Sequence, residues 1–118
     1  MVYKVSCDNY MFSFSKDIKP VLQVKSGDEV EIETMDCFAN QILTNDEKLE
    51  SLDRNRVNPA TGPIYVEGAQ AGDALKVTIE KIHIKSQGVV ATGKDLGVLG
   101  HLMNGLYSRV LEIKDGKV

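Results

Sequence analysis

Polar side chains crowd the end of one short segment in which glutamate and aliphatic residues alternate. The segment reads Glu29-Val-Glu-Ile-Glu-Thr34, and Asp36 and Cys37 follow it closely, with Gln41 a little further along. The two earlier glutamates fall on the polar face of a strand and are interpreted as solvated. The last one, Glu33, stands with Asp36 at the strand end, where sites are usually built. Carboxylate, amide and thiol groups there could contribute to a metal site, which would need more ligands than this cluster supplies.

The histidines and cysteines do not extend this cluster into a known motif. His83 and His101 stand far apart, and the sequence has no H-x-H, H-E-x-x-H or C-x-x-C spacing of the kind that metal sites use. The nucleophile motif G-x-S-x-G and the glycine-rich phosphate motifs are missing as well. The residue patterns alone therefore predict a candidate site but no reaction.

Charge and hydropathy argue against several classes of partner. The 118 residues include 14 basic and 17 acidic side chains, which gives a net charge of −3 without a basic stripe. Nucleic-acid binding needs clustered lysine and arginine, so no nucleic-acid partner is predicted. No apolar run approaches the ~20 residues of a membrane-spanning helix, and the first residues lack the apolar core of a signal peptide. We therefore expect a cytoplasmic protein with no membrane partner.

Short apolar alternations between turn signals run through the chain, which is typical of an all-β protein. We expect one β-rich domain over residues 1–118, folded as a sandwich or a jelly-roll-like barrel of short antiparallel strands. Residues 45–56 allow one or two helical turns, which Asn45 could cap. Strands are predicted at residues 10–15, 20–24, 29–34, 64–67, 74–84 and 108–113.

One sequence pattern occurs twice. Gly27-Asp28-Glu-Val-Glu-Ile and Gly72-Asp73-Ala-Leu-Lys-Val both read Gly-Asp-x-aliphatic-x-aliphatic, so each predicts a turn that leads into a strand. The repeat indicates either an internal duplication or the same turn chemistry used twice. The second strand changes parity near Glu80-Lys81, which predicts a bulge or a bend there.

The last third of the chain is rich in glycine. Residues 87–106 contain five glycines at irregular spacings, which indicates a segment that is either mobile or held by another part of the protein. Asp115-Gly116 predicts a hairpin turn after the strand at residues 108–113. Because the sequence stops at Val118, before a second strand, we expect that the chain is truncated.

Two longer motifs are more specific. Residues 57–69 read Val-Asn-Pro-Ala-Thr-Gly-Pro-Ile-Tyr-Val-Glu-Gly-Ala and continue to Gly72-Asp73; upstream stand Gly27-Asp28, Glu33-Thr34-x-Asp36 and Gln41-Ile42. Together they resemble the segments N-P-x-T-G-P-[IV]-Y-V-E-G-A-x-x-G-D and G-D-x-V-x-x-E-T-x-D, followed by Q-I, of the acetamidase/formamidase family. The motifs stand in the family's order, and the resemblance extends from about residue 12 to the end of the sequence.

The resemblance implies an enzyme that hydrolyses short linear amides, such as formamide and acetamide, to a carboxylate and ammonia. It implies a β-rich homo-oligomer in which a carboxylate or a divalent metal such as zinc activates the attacking water. Matching the motifs places Glu33, Asp36 and Gln41 at or near the catalytic site, with Asp36 as base or metal ligand and Glu33 positioning. Three more residues of the motif either shape the pocket or lock the fold: Asn58, Thr61 and Gly62.

The sequence also departs from the family. Its members are considerably longer, and their second half carries a His- and Asp-rich segment of the G-D-x-H type, which has no counterpart here. If that segment supplies ligands, the site is incomplete, so we expect the amino-terminal part of a longer chain that is inactive alone. The alternative is a non-catalytic β-domain with a structural or binding role on the same scaffold.

Overall fold

A computed structural model describes residues 2–118, which form short strands and a few helical turns. The helical elements are 3-10 turns at Leu49–Ser51, Arg54–Arg56 and Gly100–Leu102, and none of them has the length or the hydropathy needed to cross a bilayer. The strands are β1 (Val2–Val5), β2 (Tyr10–Met11), β3 (Leu22–Val24), β4 (Glu29–Ile32), β5 (Ala60–Thr61), β6 (Ile64–Val66), β7 (Gln87–Gly93) and β8 (Leu106–Glu112). The predicted predominance of strands is confirmed.

The strands pair two by two. Strand β1 runs parallel to β4 and β3 runs parallel to β6, whereas β2–β5 and β7–β8 are antiparallel. Within residues 2–118 these two-stranded sheets do not close into a barrel. The prediction of antiparallel strands throughout is wrong for β1–β4 and β3–β6. Parallel partners lie far apart in sequence, so local turn signals cannot reveal them.

The chain divides into two compact units that are interleaved in sequence. The first unit comprises the residues up to Ala39 together with residues 55–80, and it contains β1 to β6. The second unit comprises residues 40–54 and 81–118, and it contains β7 and β8. Each unit buries only a few apolar side chains among the described residues, which are Val5, Val24 and Ala39 in the first and Ile42 and Leu49 in the second.

The two Gly-Asp motifs form the same turn. Asp28 N donates to Lys25 O at 3.1 Å, and Lys25 N donates to Asp28 Oδ2 at 2.8 Å. Asp73 and Gln70 repeat both bonds, at 3.1 Å and 2.8 Å. The glycine before each aspartate has a φ of 92° or 99°, which glycine adopts without steric cost. Both predicted turns are therefore confirmed.

The strand predicted at residues 74–84 is not a paired element of the described chain. Residues 74–85 belong to no strand or helix, and all of them are exposed. Their apolar side chains are between 58% and 75% exposed, at Leu75, Val77, Ile79, Ile82 and Ile84. The prediction is wrong within residues 2–118, because alternation decides which side chains share a face but supplies no partner strand.

The glycine-rich segment contains a strand that the sequence pattern did not indicate. Strand β7 begins and ends near glycines, and it pairs with β8 from Gln87–Glu112 to Gly93–Leu106. A Cβ atom on Gly93 would lie 2.5 Å from Leu106 Cδ2, so this glycine permits a close approach of two strands. Beyond β8, residues 115–116 have φ values of 50° and 72° and form the predicted hairpin turn.

Asn45 does not cap the helical turn that follows it. The residue preceding Leu49–Ser51 is Lys48, and it makes no side-chain capping bond. Asn45 Oδ1 instead accepts a hydrogen bond from Val110 N at 2.8 Å, so the capping prediction is wrong. The side chain of Asn45 attaches its loop to β8 within the second unit, a long-range contact that a local pattern cannot indicate.

Candidate functional site

The candidate site in the first unit begins at Glu33, the residue after β4. Glu33 N donates to Val5 O at 2.9 Å, which extends the β1–β4 pairing by one residue. Its carboxylate oxygen Oε2 accepts from Cys7 N at 3.3 Å, and the residue is exposed. The carboxylate of Glu33 is therefore tethered to the end of β1 while remaining open to solvent.

Asp36 organises the turn that comes next. Asp36 Oδ1 accepts from Phe38 N at 2.9 Å, and Asp36 O accepts from Ala39 N at 3.0 Å. The turn continues through Ala39 and Asn40, which both have positive φ, at 52° and 56°. Asp36 is half-buried, and a backbone donor fixes the direction of its carboxylate. Such fixed orientation is what a catalytic carboxylate or a metal ligand requires.

Residues 58–63, which include two prolines and a glycine, lie against this turn. Asn58 N donates to Cys37 O at 2.7 Å, and Thr61 Oγ1 donates to Glu33 O at 2.8 Å. Thr61 also pairs with Tyr10 in the β2–β5 sheet. Two segments that are 28 residues apart in sequence are thereby joined by direct hydrogen bonds within the first unit.

Gly62 fixes the end of the same segment. It is buried, its φ is 130°, and its N–H donates to Asn9 O at 2.9 Å. A Cβ atom there would lie 3.4 Å from Ile64 N and 3.8 Å from Met11 Cε. Asn58 and Gly62 thus act through their main chains, which supports the fold-locking interpretation of both. A pocket-shaping role for Asn58, Thr61 and Gly62 stays a prediction.

Gln41 belongs to the second unit, whereas Glu33 and Asp36 belong to the first. Gln41 Nε2 donates to Asp53 O at 3.3 Å, and Asp53 N donates to Gln41 Oε1 at 3.0 Å. Both ends of the amide therefore hold together the loop between residues 41 and 53. The catalytic role of Gln41 stays a prediction, and the two hydrogen bonds to Asp53 connect the ends of its loop.

Glu47 is a carboxylate that the sequence interpretation missed. Its Oε2 atom accepts from Thr44 Oγ1 and, at 2.7 Å, from Thr44 N. These bonds, first of all the one from the hydroxyl, hold the pKa of Glu47 below its usual value of 4.5. The signal was present in the sequence, because Thr44-Asn-Asp-Glu47 has the spacing of a capping box.

The described residues do not assemble a metal-binding set. Among residues 2–118, no three His, Cys, Asp or Glu side chains lie close enough together to hold a metal ion. Asp36 could supply one carboxylate, whereas zinc centres use at least about three protein ligands. The residues described here do not fit a complete metal centre, so metal ligation by Asp36 stays a prediction and no reaction step is derived from it.

Comparison with known proteins identifies relatives of the chain. A sequence model of the acetamidase/formamidase family matches residues 7–115. A formamidase of Methylophilus methylotrophus is 40% identical over 65 residues, which cover 53% of this chain and 16% of that protein. The match to the family model extends over most of the sequence, including both motifs of the candidate site.

Two solved structures share the fold over nearly the whole chain. A predicted acetamidase/formamidase of Thermoanaerobacter tengcongensis is 64% identical and superposes with a TM-score of 0.96. The match covers 100% of this chain and 39% of that chain. An acetamidase of Bacillus halodurans is 42% identical and superposes with a TM-score of 0.89. This match covers 94% of this chain and 38% of that one. The chain therefore spans about two fifths of the length of these proteins.

Proposed function

This chain belongs to the acetamidase/formamidase family, and we propose that it contributes to the hydrolysis of short linear amides of the formamide and acetamide type. The reaction adds water across the amide C–N bond and yields a carboxylate and ammonia. The family match, a formamidase among the relatives and an acetamidase among the solved structures support this proposal.

A direct contact between two segments of the first unit adds support to this proposal beyond the family match. The two segments that resemble the family, around Glu33–Cys37 and Asn58–Gly62, are hydrogen-bonded to each other in the first unit. Thr61 Oγ1 donates to the main-chain oxygen of Glu33, and Asn58 N donates to that of Cys37. The exposed carboxylate of Glu33 belongs to the same connected segment. A hydrolytic site needs such a fixed polar group with access to water and to a small substrate.

We propose distinct roles for the two carboxylates. Asp36 would take a proton from the attacking water as the water oxygen bonds to the carbonyl carbon. The protonated Asp36 would then give this proton to the nitrogen as the C–N bond breaks, which releases ammonia and restores the carboxylate. The half-buried, fixed carboxylate of Asp36 supports this role, and it would serve equally as one ligand of a divalent metal. Glu33, exposed and tethered to Cys7, would position the substrate or the water. A catalytic role for Gln41 has the weakest support, because its side-chain amide is hydrogen-bonded to the main chain of Asp53.

We also propose what the complete enzyme requires and how it is built. Because the chain spans about two fifths of its solved relatives, we propose that turnover needs the remaining part of such a protein. We propose that the small sheets then belong to a sandwich or jelly-roll-like arrangement in a cytoplasmic homo-oligomer. The four two-stranded sheets that residues 2–118 form are the elements from which that larger architecture would be built.

A chimera tests the proposed activity. These 118 residues would replace the equivalent part of the Thermoanaerobacter tengcongensis protein, and ammonia release from formamide and acetamide would be measured. We expect activity, and we expect Asp36→Asn to lower kcat/KM by about 100-fold or more. The asparagine keeps an oxygen that can accept the bond from Phe38 N, so the turn should persist and the melting temperature should not change.

The matched control is Glu29→Gln, which makes the same kind of change on an exposed residue of β4. It should leave kcat/KM within about twofold of the parent. A folded chimera that releases no ammonia from any short amide would refute the proposed function and favour a structural or binding domain. Near-normal activity of Asp36→Asn would refute only the role of Asp36.

A further inference from the structure

An asparagine is followed by glycine once in the sequence, at Asn104-Gly105, between the 3-10 turn Gly100–Leu102 and β8. The five other asparagines are followed by tyrosine, glutamine, aspartate, arginine or proline. Glycine has no Cβ atom beside its peptide nitrogen, and its backbone adopts conformations that other residues resist. The peptide nitrogen of Gly105 can therefore approach the side-chain amide carbon of Asn104 without steric obstruction.

The peptide nitrogen of Gly105 is open in the folded chain. Asn104 is exposed and belongs to no strand or helix, and the N–H of Gly105 makes no hydrogen bond among residues 2–118. The carbonyl oxygen of Gly105, in contrast, accepts from Lys94 N at 3.0 Å. The second unit thus holds one side of this peptide in place while no acceptor competes for its nitrogen.

Tyr107 places a hydrogen-bond donor on the amide that the nitrogen would attack. Its hydroxyl donates to Asn104 Oδ1 at 2.5 Å, and a Cβ atom on Gly105 would lie 3.5 Å from the same hydroxyl oxygen. When a nitrogen bonds to an amide carbon, negative charge develops on the amide oxygen, and a donor already bound there stabilises that charge. A nucleophile, an amide carbon and a donor are therefore assembled within four consecutive residues.

We propose that Asn104 is a site of self-catalysed deamidation, with the Gly105 nitrogen as nucleophile and the Tyr107 hydroxyl as the donor to the amide oxygen. The Gly105 nitrogen gives its proton to water and bonds to Asn104 Cγ. The Cγ–Nδ2 bond then breaks, and Nδ2 takes a proton from water and leaves as ammonia. Water opens the resulting cyclic imide at either carbonyl, which yields aspartate or isoaspartate.

This reaction is separate from the proposed hydrolysis of external amides. It needs no substrate, and it ends after each chain has consumed one water and released one ammonia. Either product adds a negative charge at neutral pH, because a carboxylate replaces a neutral amide. Isoaspartate also inserts a carbon atom into the main chain just before Gly105, whose oxygen accepts from Lys94 N. The amide hydrogen of Lys94 should therefore exchange faster in the isoaspartate form than in the parent.

The test incubates the folded 118-residue chain at neutral and mildly alkaline pH. Ion exchange measures the acidic products, and peptide mass spectrometry assigns the modified residue. Asn45 is the internal control: it is exposed and its Oδ1 also accepts a hydrogen bond, from Val110 N, but the N–H of Asp46 after it is bound to Thr44 Oγ1. We expect Asn104 to react at least about tenfold faster than Asn45. Equal rates at the two asparagines would overturn the proposal.

The variant Tyr107→Phe tests the donor, because it keeps the ring and removes the hydroxyl. It should slow deamidation of Asn104 in the folded chain by about fivefold. The matched control is Tyr65→Phe in β6, where the tyrosine is 47% exposed against 48% for Tyr107. That control should leave the rate within about twofold of the parent.

Repeating the measurement in urea separates the folded geometry from the local sequence. Unfolding removes the hydrogen bond between Tyr107 and Asn104, so the parent and Tyr107→Phe should then react at the same rate. A folded Tyr107→Phe chain that deamidates as fast as the parent would overturn the role of the hydroxyl. A slowing by the same factor in urea as in the folded chain would overturn it too, because the hydrogen bond could not be its cause.

Discussion

Replacing Gly62 with alanine should destabilise the first unit by about 1–2 kcal/mol. The residue has a φ of 130°, a conformation that costs a side-chain-bearing residue about 1–3 kcal/mol. Alanine also restricts the unfolded chain, which offsets about 0.4–1 kcal/mol of that cost. The added Cβ would lie 3.4 Å from Ile64 N, so steric overlap contributes little and the backbone conformation decides the sign.

The assay is urea-induced unfolding, followed through amide resonances of both units so that each unit is observed separately. The matched control is Gly88→Ala in β7, where φ lies outside the left-handed region and the new Cβ would lie 3.6 Å from Ile113 Cδ1. That control should be neutral or stabilising by up to about 1 kcal/mol, because glycine weakens a strand interior. The reasoning is refuted if Gly62→Ala is as stable as the parent protein.

Two further predictions concern single hydrogen-bonded side chains. Thr61→Val removes the hydroxyl that donates to Glu33 O and should lower the free energy of unfolding by about 1 kcal/mol in urea, whereas Thr61→Ser should retain most of it. A harmless Thr61→Val would show that the two motifs are joined by other contacts. Because Thr44 lowers the pKa of Glu47, the stability that this carboxylate contributes is present above pH 4.5 and is lost as the pH falls through the lowered value. Glu47→Gln should flatten that part of a stability–pH profile measured by urea unfolding, and a profile parallel to that of the parent protein would contradict the assignment.

Local chemistry could be predicted from the sequence where a few adjacent residues decide the outcome. The turns at Gly27-Asp28 and Gly72-Asp73 and the hairpin turn at residues 115–116 follow from glycine and aspartate alone. The strand at Glu29–Ile32 follows from its alternation. In each case the determining groups lie within a few bonds of one another, so a short window of sequence contains the whole cause.

Partners distant in sequence could not be predicted in this way. Strand β7 was missed because its glycines indicated only a segment that is either mobile or held by another part of the protein. In the structure β7 pairs with β8, and the lack of a side chain on Gly93 leaves room for the side chain of Leu106. The family motifs named Glu33 and Thr61, but their direct hydrogen bond emerged only from the structure. For residues 74–84 the alternation was a correct description of the sequence, and the pairing failed because no described strand lies beside it.

The interleaving of the two units has a consequence for synthesis on the ribosome. The chain enters the second unit at residue 40, returns to the first at residue 55 and leaves it again after residue 80. Strand β3 therefore emerges about forty residues before its partner β6, and residues 40–54 are made long before β7 and β8. Neither unit can be completed from one uninterrupted stretch of nascent chain, so the early segments must stay unpaired and unaggregated while the later ones are translated.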